Sequence, residues 1–187
     1  MIVACPFGTH RVIAPQGSLP QGAERLDNRM EIMPNEILID VETLNIDSAS
    51  FTQIRQEAGD DQAKIAQIML DIVERRGKHH NPVTGSGGMF IGTVKAIGHD
   101  LAAKRDLQVG ARIASLVSLT LTPLVIDTIE TIHLDTAQVD IKGQAILFES
   151  GIYAVLPEDL PQKLALAALD VAGAPAQTAK LVRPGDT

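Results

Sequence analysis

The chain has 187 residues, 45% of them hydrophobic and 21% charged, with a formal net charge of −7; this is ordinary globular usage, long enough for a core without disulfide or metal staples. The acidic balance argues against phosphate backbones as partners, and an aromatic content of 3% with a single tyrosine, Tyr153, leaves no platform for stacked bases. One cysteine, Cys5, allows no internal disulfide; no signal peptide opens the chain and no run approaches the ~18 apolar residues of a membrane span, so a cytoplasmic protein without nucleic-acid or membrane partners is expected.

In chain order, Gly8-Thr9-His10-Arg11 sets two potential cations beside a turn, for which a surface loop is the default. From Glu36 to Glu42 the period is two: Ile37, Ile39 and Val41 share one face, Asp40 and Glu42 the other, as in a half-buried strand. The polar cluster Asn45-Ile46-Asp47-Ser48-Ala49-Ser50 then reads in two ways. It is a turn or helix start capped by Asp47 or Ser48, both N-cap residue types, or it is a pocket carboxylate at a strand end. Residues 60–76 change period to that of a helix, with Ile65, Ile68, Met69, Ile72 and Val73 on one stripe. Acids at its front, Arg75 and Arg76 at its back and Gly77 as a stop suit the helix dipole and the C-cap. Strands are predicted over residues 89–98, 111–121, 124–133 and 144–156, and helix from 162 to about 180, divided at Gly173 and Pro175. The chain stops within the turn chemistry of Arg183-Pro184-Gly185-Asp186-Thr187, as expected of the front part of a longer protein.

Three features invite chemistry. Thr84 to Gly92 is glycine-rich, but a dinucleotide fingerprint needs glycine at the first, third and sixth places ahead of a helix; counted from Gly85 the sixth place is Phe90, and a strand pattern follows. Gly87 and Gly88 are therefore expected to allow tight backbone packing, and still to be able to line a pocket. His79 and His80 are adjacent, so on extended backbone they point apart and do not share one ion. His80 is open as a pocket donor or acid/base group. Glu149 stands among Ile146, Leu147, Phe148 and Ile152, where burial without a partner is costly; it faces solvent at a turn or sits in a site.

The order of these pieces resembles the medium-chain dehydrogenase/reductase superfamily. The likeness runs through residues 36–47, Gly92 to Gly98, Val109 to Ile113, the alanine-rich stretch from Ala165 to Ala179, and the final Pro184-Gly185-Asp186-Thr187. It implies a β-rich α+β fold, a GroES-like partly open β-barrel with flanking helices over residues 1–160. Residues 60–76 would be an added helix, and 161–187 a connector to a Rossmann domain outside the chain. More narrowly, Gly8 to Ile13, Leu44 to Phe51, His80 to Met89, Ile146 to Pro157 and Leu164 to Lys180 are similar to a family of lysine-fermentation enzymes. Those enzymes oxidatively deaminate L-erythro-3,5-diaminohexanoate to 5-amino-3-oxohexanoate with NAD or NADP.

Where zinc members of the superfamily carry ligands, this chain has Asp47, Gly87-Gly88-Met89 and Val171, so no zinc is expected. The resemblance and residue chemistry together name Asp47 and Glu149 for ammonium contacts, Arg11 for a forked carboxylate contact, and Gly87 and Gly88 as lining. Ser48, His80 and Tyr153 are candidates for proton relay or for orienting water. A small amino-acid substrate, a homodimer at full length, and no turnover by residues 1–187 alone are the corresponding expectations. The rival classes are a stand-alone GroES-like binding or assembly module and a zinc-less quinone reductase.

Overall fold

The computed structural model of the chain describes residues 4–157, 159, 161–171 and 173–183. Two short strands, β1 (Val12–Ala14) and β2 (Arg25–Leu26), pair as a small ribbon. The main sheet has six strands: β3 (Glu36–Ile46), β4 (Gly88–Ile97), β5 (Arg112–Ser115), β6 (Leu124–His133), β7 (Gln138–Phe148) and β8 (Tyr153–Val155). Their order is β6-β7-β3-β4-β5-β8, with every neighbouring pair antiparallel. β6 and β8 do not pair, so the sheet is not a closed barrel.

Strand β3 lies at the centre, bonded to β7 on one side and β4 on the other. The expected half-buried strand is in fact covered on both faces. Ile37, Ile39 and Val41 enter the main core, while Leu38 packs with Ile146, Phe148, Met30 and Ile32 on the opposite face. The alternation is real, but residues 30–32 lie over the face that would otherwise be wet, and Asp40 is the one exposed position of the strand.

Among the described residues, five α-helices accompany the sheet: α1 (Ser48–Ala58), α2 (Gln62–Arg76), α3 (His99–Ala102), α4 (Gln162–Val171) and α5 (Gly173–Leu181). α2 is the helix expected from the 60–76 pattern. The Asp61 carboxylate accepts the N–H groups of Ala63 and Lys64 at its start, and Gly77 ends it in the left-handed conformation with φ 67°. α1 follows the polar cluster at the end of β3 and buries Phe51, Ile54 and Ala58, with spacing of three and four, against the same core as α2.

Two strand expectations are corrected. Residues 111–121 form β5 only to Ser115; Ser118 then caps a 3-10 turn over Leu119–Leu121 by accepting the Thr120 N–H. Residues 144–156 are the end of β7 and all of β8, separated by a turn in which the Gly151 N–H bonds the Phe148 carbonyl. Apolar content continues through both breaks, so periodicity alone does not reveal them.

A polar seam ties α4 to the sheet. Arg112 on β5 pairs with Glu42 on β3 at 2.8 Å and also donates to the Gln162 side chain at the start of α4. Gln162 in turn donates to Thr43, whose hydroxyl donates to Asp140 on β7 at 2.8 Å. Ala165, Leu166 and Leu169 of α4 then pack on Met89, Ile91, Ala114 and Leu156. The closing turn predicted at residues 184–187 lies outside the described residues.

Candidate functional site

The last residue before α1, Asp47, stands where β3 ends. Its backbone is extended, with φ −51° and ψ 136°, and its carboxylate does not cap the helix it precedes. Instead Oδ2 accepts the Gly87 N–H at 2.9 Å, and the Asp47 N–H donates to the Gly87 carbonyl at 3.2 Å. This two-way clasp takes the Asp47 side chain away from the helix cap. Asp47 occupies the N-cap position, yet its side chain is spent on the loop ahead of β4. It lines a cavity of about 280 Å³ with Gly88, Met89, Leu116, Ser118 and Leu169.

The clasp needs glycines. A Cβ on Gly87 would lie 2.8 Å from both the His79 carbonyl oxygen and the Thr120 nitrogen. One on Gly88 would lie 2.0 Å from the Asn45 carbonyl oxygen, at a φ of +126° that side chains rarely adopt. The run ends in a strand rather than a helix start, so it does not form a phosphate-binding turn for a dinucleotide. Asn81 holds the loop's far end: its N–H bonds the Ser86 carbonyl, its Oδ1 accepts from Val83 and Thr84, and its amide donates to Ser50 and Gln53 on α1.

Ahead of this loop comes a run of buried titratable groups. Lys78 is wholly buried, its ammonium donating to the carbonyls of Pro20 at 2.6 Å and Gln21 at 3.2 Å. Burial, with the nearby Arg76 charge, lowers its pKa to about 8. His79 is also wholly buried, and its ring nitrogens have no hydrogen bond among the described residues. The carbonyls of His79 and Gly87 near the ring favour the cation, but burial dominates and lowers its pKa to about 4. His80 is half-buried, and its Nδ1 has no hydrogen bond among the described residues. Burial and the charges of Lys78 and Arg76 bring its pKa to about 4, so both rings are neutral at pH 7.

The other candidates lie elsewhere. Ser48 is exposed on the first turn of α1, next to Asp47. Glu36 opens β3 opposite Phe148, whereas Ile46 at the other end faces Gly88, so Glu149 and Asp47 belong to opposite ends of the central strand. Glu149 takes the Asn35 amide at 3.2 Å and has Lys104 at 3.7 Å. Arg105 links Glu149 to Tyr153: it donates to the carbonyls of Glu149 and Gly151, and its guanidinium sits 5.6 Å from the Tyr153 ring centre. Tyr153 lies on β8 opposite Ser115.

Arg11 is not on a surface loop but buried. Its guanidinium donates to both oxygens of Glu36 at 2.8 and 2.6 Å and to the carbonyls of Asp27, Arg29 and Glu31. His10 bonds the same carboxylate at 2.8 Å. The forked contact expected of Arg11 is therefore made, but to a carboxylate of its own chain. The pocket thus gathers Asp47 and Gly88, with Gly87 bonded behind Asp47, and does not gather Arg11, Glu149 or Tyr153.

With this arrangement in view, residues 10–157 match the family described as L-erythro-3,5-diaminohexanoate dehydrogenase N-terminal domain. The chain belongs to that family. It is 67% identical over 183 residues to the L-erythro-3,5-diaminohexanoate dehydrogenase of Acetoanaerobium sticklandii, an alignment covering 98% of this chain and 53% of that protein. With the Fusobacterium nucleatum protein of the same name it shares 66% identity over 180 residues, 96% of this chain and 52% of that protein. The chain therefore spans about half the length of the curated relatives it matches.

Sequence reasoning missed the lining side chains Leu116 and Ser118, which lie beyond the end of β5, and the buried Lys78–His79 pair. For the first the only signal was Ser118, a cap residue within an apolar run. For the second there was none, because charged and imidazole side chains are by default placed in water.

Proposed function

We propose that this chain forms the substrate-facing part of a nicotinamide-dependent dehydrogenase that oxidatively deaminates L-erythro-3,5-diaminohexanoate to 5-amino-3-oxohexanoate and ammonia. Membership of the dehydrogenase family supports the reaction class. The observation that carries the site is Asp47: a carboxylate at a strand end, held by the Gly87 N–H and lining a cavity with Gly88, Met89, Leu116, Ser118 and Leu169. The substrate has two ammonium groups, and hydride can leave the C3 carbon only after the amine there has lost its proton. Asp47 binds the C3 ammonium and takes that proton. Its Oδ2 stays on Gly87, which fixes the carboxylate's position during the transfer.

The hydride acceptor, NAD or NADP, is assigned to a part of the enzyme outside these 187 residues, because the glycine run at 85–88 does not fit a dinucleotide. Asp47 is the one titratable residue lining the cavity among the described residues, and the chemistry proposed for it uses no zinc. Ser48, next to Asp47 on α1, and His80, in the run ahead of Gly87, are proposed to orient the water that hydrolyses the imine; His80 suits this as a neutral ring. For the fold, a GroES-like partly open barrel over residues 1–160, with 161–187 leading to a cofactor domain and a homodimer at full length, is the arrangement proposed. The antiparallel order and the seating of α4 on β4 and β5 support it.

Asp47→Asn in the full-length enzyme tests the reading. It should lower kcat/KM for 3,5-diaminohexanoate by about 100-fold or more, the usual weight of a positioned base; an unchanged value would remove Asp47 from the chemistry. The 187-residue chain alone should reduce neither NAD nor NADP.

A further inference from the structure

A second cavity is larger than the one at Asp47. It is a groove of about 410 Å³ between α1, α2 and the loop after α2, and it shares no lining residue with the Asp47 cavity. Its walls follow from helix spacing. Ile68, Asp71, Ile72 and Arg75 recur at three and four residues on α2 and so share one face. Glu57 enters from the end of α1.

The groove holds opposed charges that do not satisfy each other. Glu57 takes the Gln53 amide at 2.8 Å and Asp71 the Gln67 amide at 2.7 Å, so each carboxylate is held in place by a neutral donor. Asp71 and Arg75 stand four apart on one helix, the spacing of a helical ion pair, yet no such pair forms. Among the described residues the side chains of Arg75 and Arg76 have neither a hydrogen bond nor an ion pair. Arg76 also has Lys78 nearby as a like charge, which makes an incoming anion more welcome there. Between the charges lie the apolar Ile68 and Ile72. Two cations without partners, two fixed carboxylates and an aliphatic floor match one ligand chemistry.

We propose that this groove is a second binding site, for a small aliphatic amino acid. Its carboxylate lies on Arg75 and Arg76, its ammonium on Glu57 and Asp71, and its methylene chain on Ile68 and Ile72. Asn81, which also lines the groove, anchors the loop whose other end clasps Asp47, so an occupant borders the segment that positions that carboxylate. The inference does not rest on the reaction proposed for Asp47.

Titration calorimetry on the 187-residue chain decides it, with L-lysine as the probe. L-lysine should bind saturably, and L-lysinamide, which lacks the carboxylate, at least about tenfold more weakly, as loss of a charge-assisted bidentate contact requires. Replacing both arginines (Arg75→Gln with Arg76→Gln) should weaken L-lysine by a similar factor, and Asp71→Asn should weaken it too. Asp47→Asn should leave it unchanged, whatever that variant does to turnover. Absence of L-lysine binding, equal binding of the amide, or retention of full affinity in the arginine variant would overturn the proposal. So would loss of binding in Asp47→Asn, which would place the ligand in the other cavity. Should the double variant fail to fold, the amide comparison and Asp71→Asn still decide.

Discussion

A carboxylate with no exposure to solvent needs hydrogen-bonding partners at contact distance, and Glu36 has the Arg11 guanidinium at 2.6 Å and a His10 ring nitrogen at 2.8 Å. Burial pushes its carboxyl up, but the hydrogen bonds from His10, Arg11 and the Met33 N–H outweigh it and hold the pKa at about 2. Arg11 meanwhile satisfies three carbonyls of residues 27–31, so this one side chain fastens the N-terminal segment to the start of the central strand. Removing one partner of such a buried pair leaves the other charge uncompensated. Arg11→Ala is expected to lower stability by ~3–5 kcal/mol in urea unfolding. Asp47 is different in kind: its carboxylate accepts the Gly87 N–H and lines a cavity, whereas Glu36 is buried between Arg11 and His10.

At the scale of elements, α2 is specified at both ends by its own residues. Asp61 satisfies two of the free N–H groups of the first turn, and Asp61→Ala should cost ~1 kcal/mol, read as a shift in the thermal or urea midpoint. At the other end Gly77 serves two purposes. It takes the left-handed conformation that ends the helix, and it lets the Leu26 carbonyl approach to where a Cβ would stand 2.2 Å away. β3 gains its central place from apolar residues on both faces. β6 and β8, at the edges, show the exposed positions that edge strands tolerate.

For the whole molecule, the buried titratable groups set the response to acid. His79 and His80 have pKa values near 4 in the fold, below the ordinary 6.5, so between these limits the unfolded chain binds protons that the folded chain refuses. Stability must then fall as pH drops from 6.5 toward 4. Glu36 adds a second stage. Its folded pKa near 2 lies below the ordinary 4.5, so its contribution is complete above 4.5 and is lost as pH falls toward 2. Urea midpoints measured across pH should show both stages, with His79→Leu shrinking the upper one to the share of His80 and leaving the lower. A single transition near pH 4.5, unaltered in His79→Leu, would contradict this account.

What the amino-acid order determined by itself was local. Helix α2 between Asp61 and Gly77 and strand β6 over Leu124–His133 could be read directly, because caps and periodicity act over a few residues. Asp47 could be picked out as a carboxylate at the end of a strand, while its choice between capping and clasping could not: that depends on Gly87, forty positions further on. The tertiary structure alone decided that Arg11 answers Glu36, that Lys78 and His79 are dry, and that Glu149 stands at the far end of β3 from Asp47. Each of these is a matter of desolvation and of pairing between distant segments, and a side chain's partner across the fold leaves no trace in its neighbours along the chain.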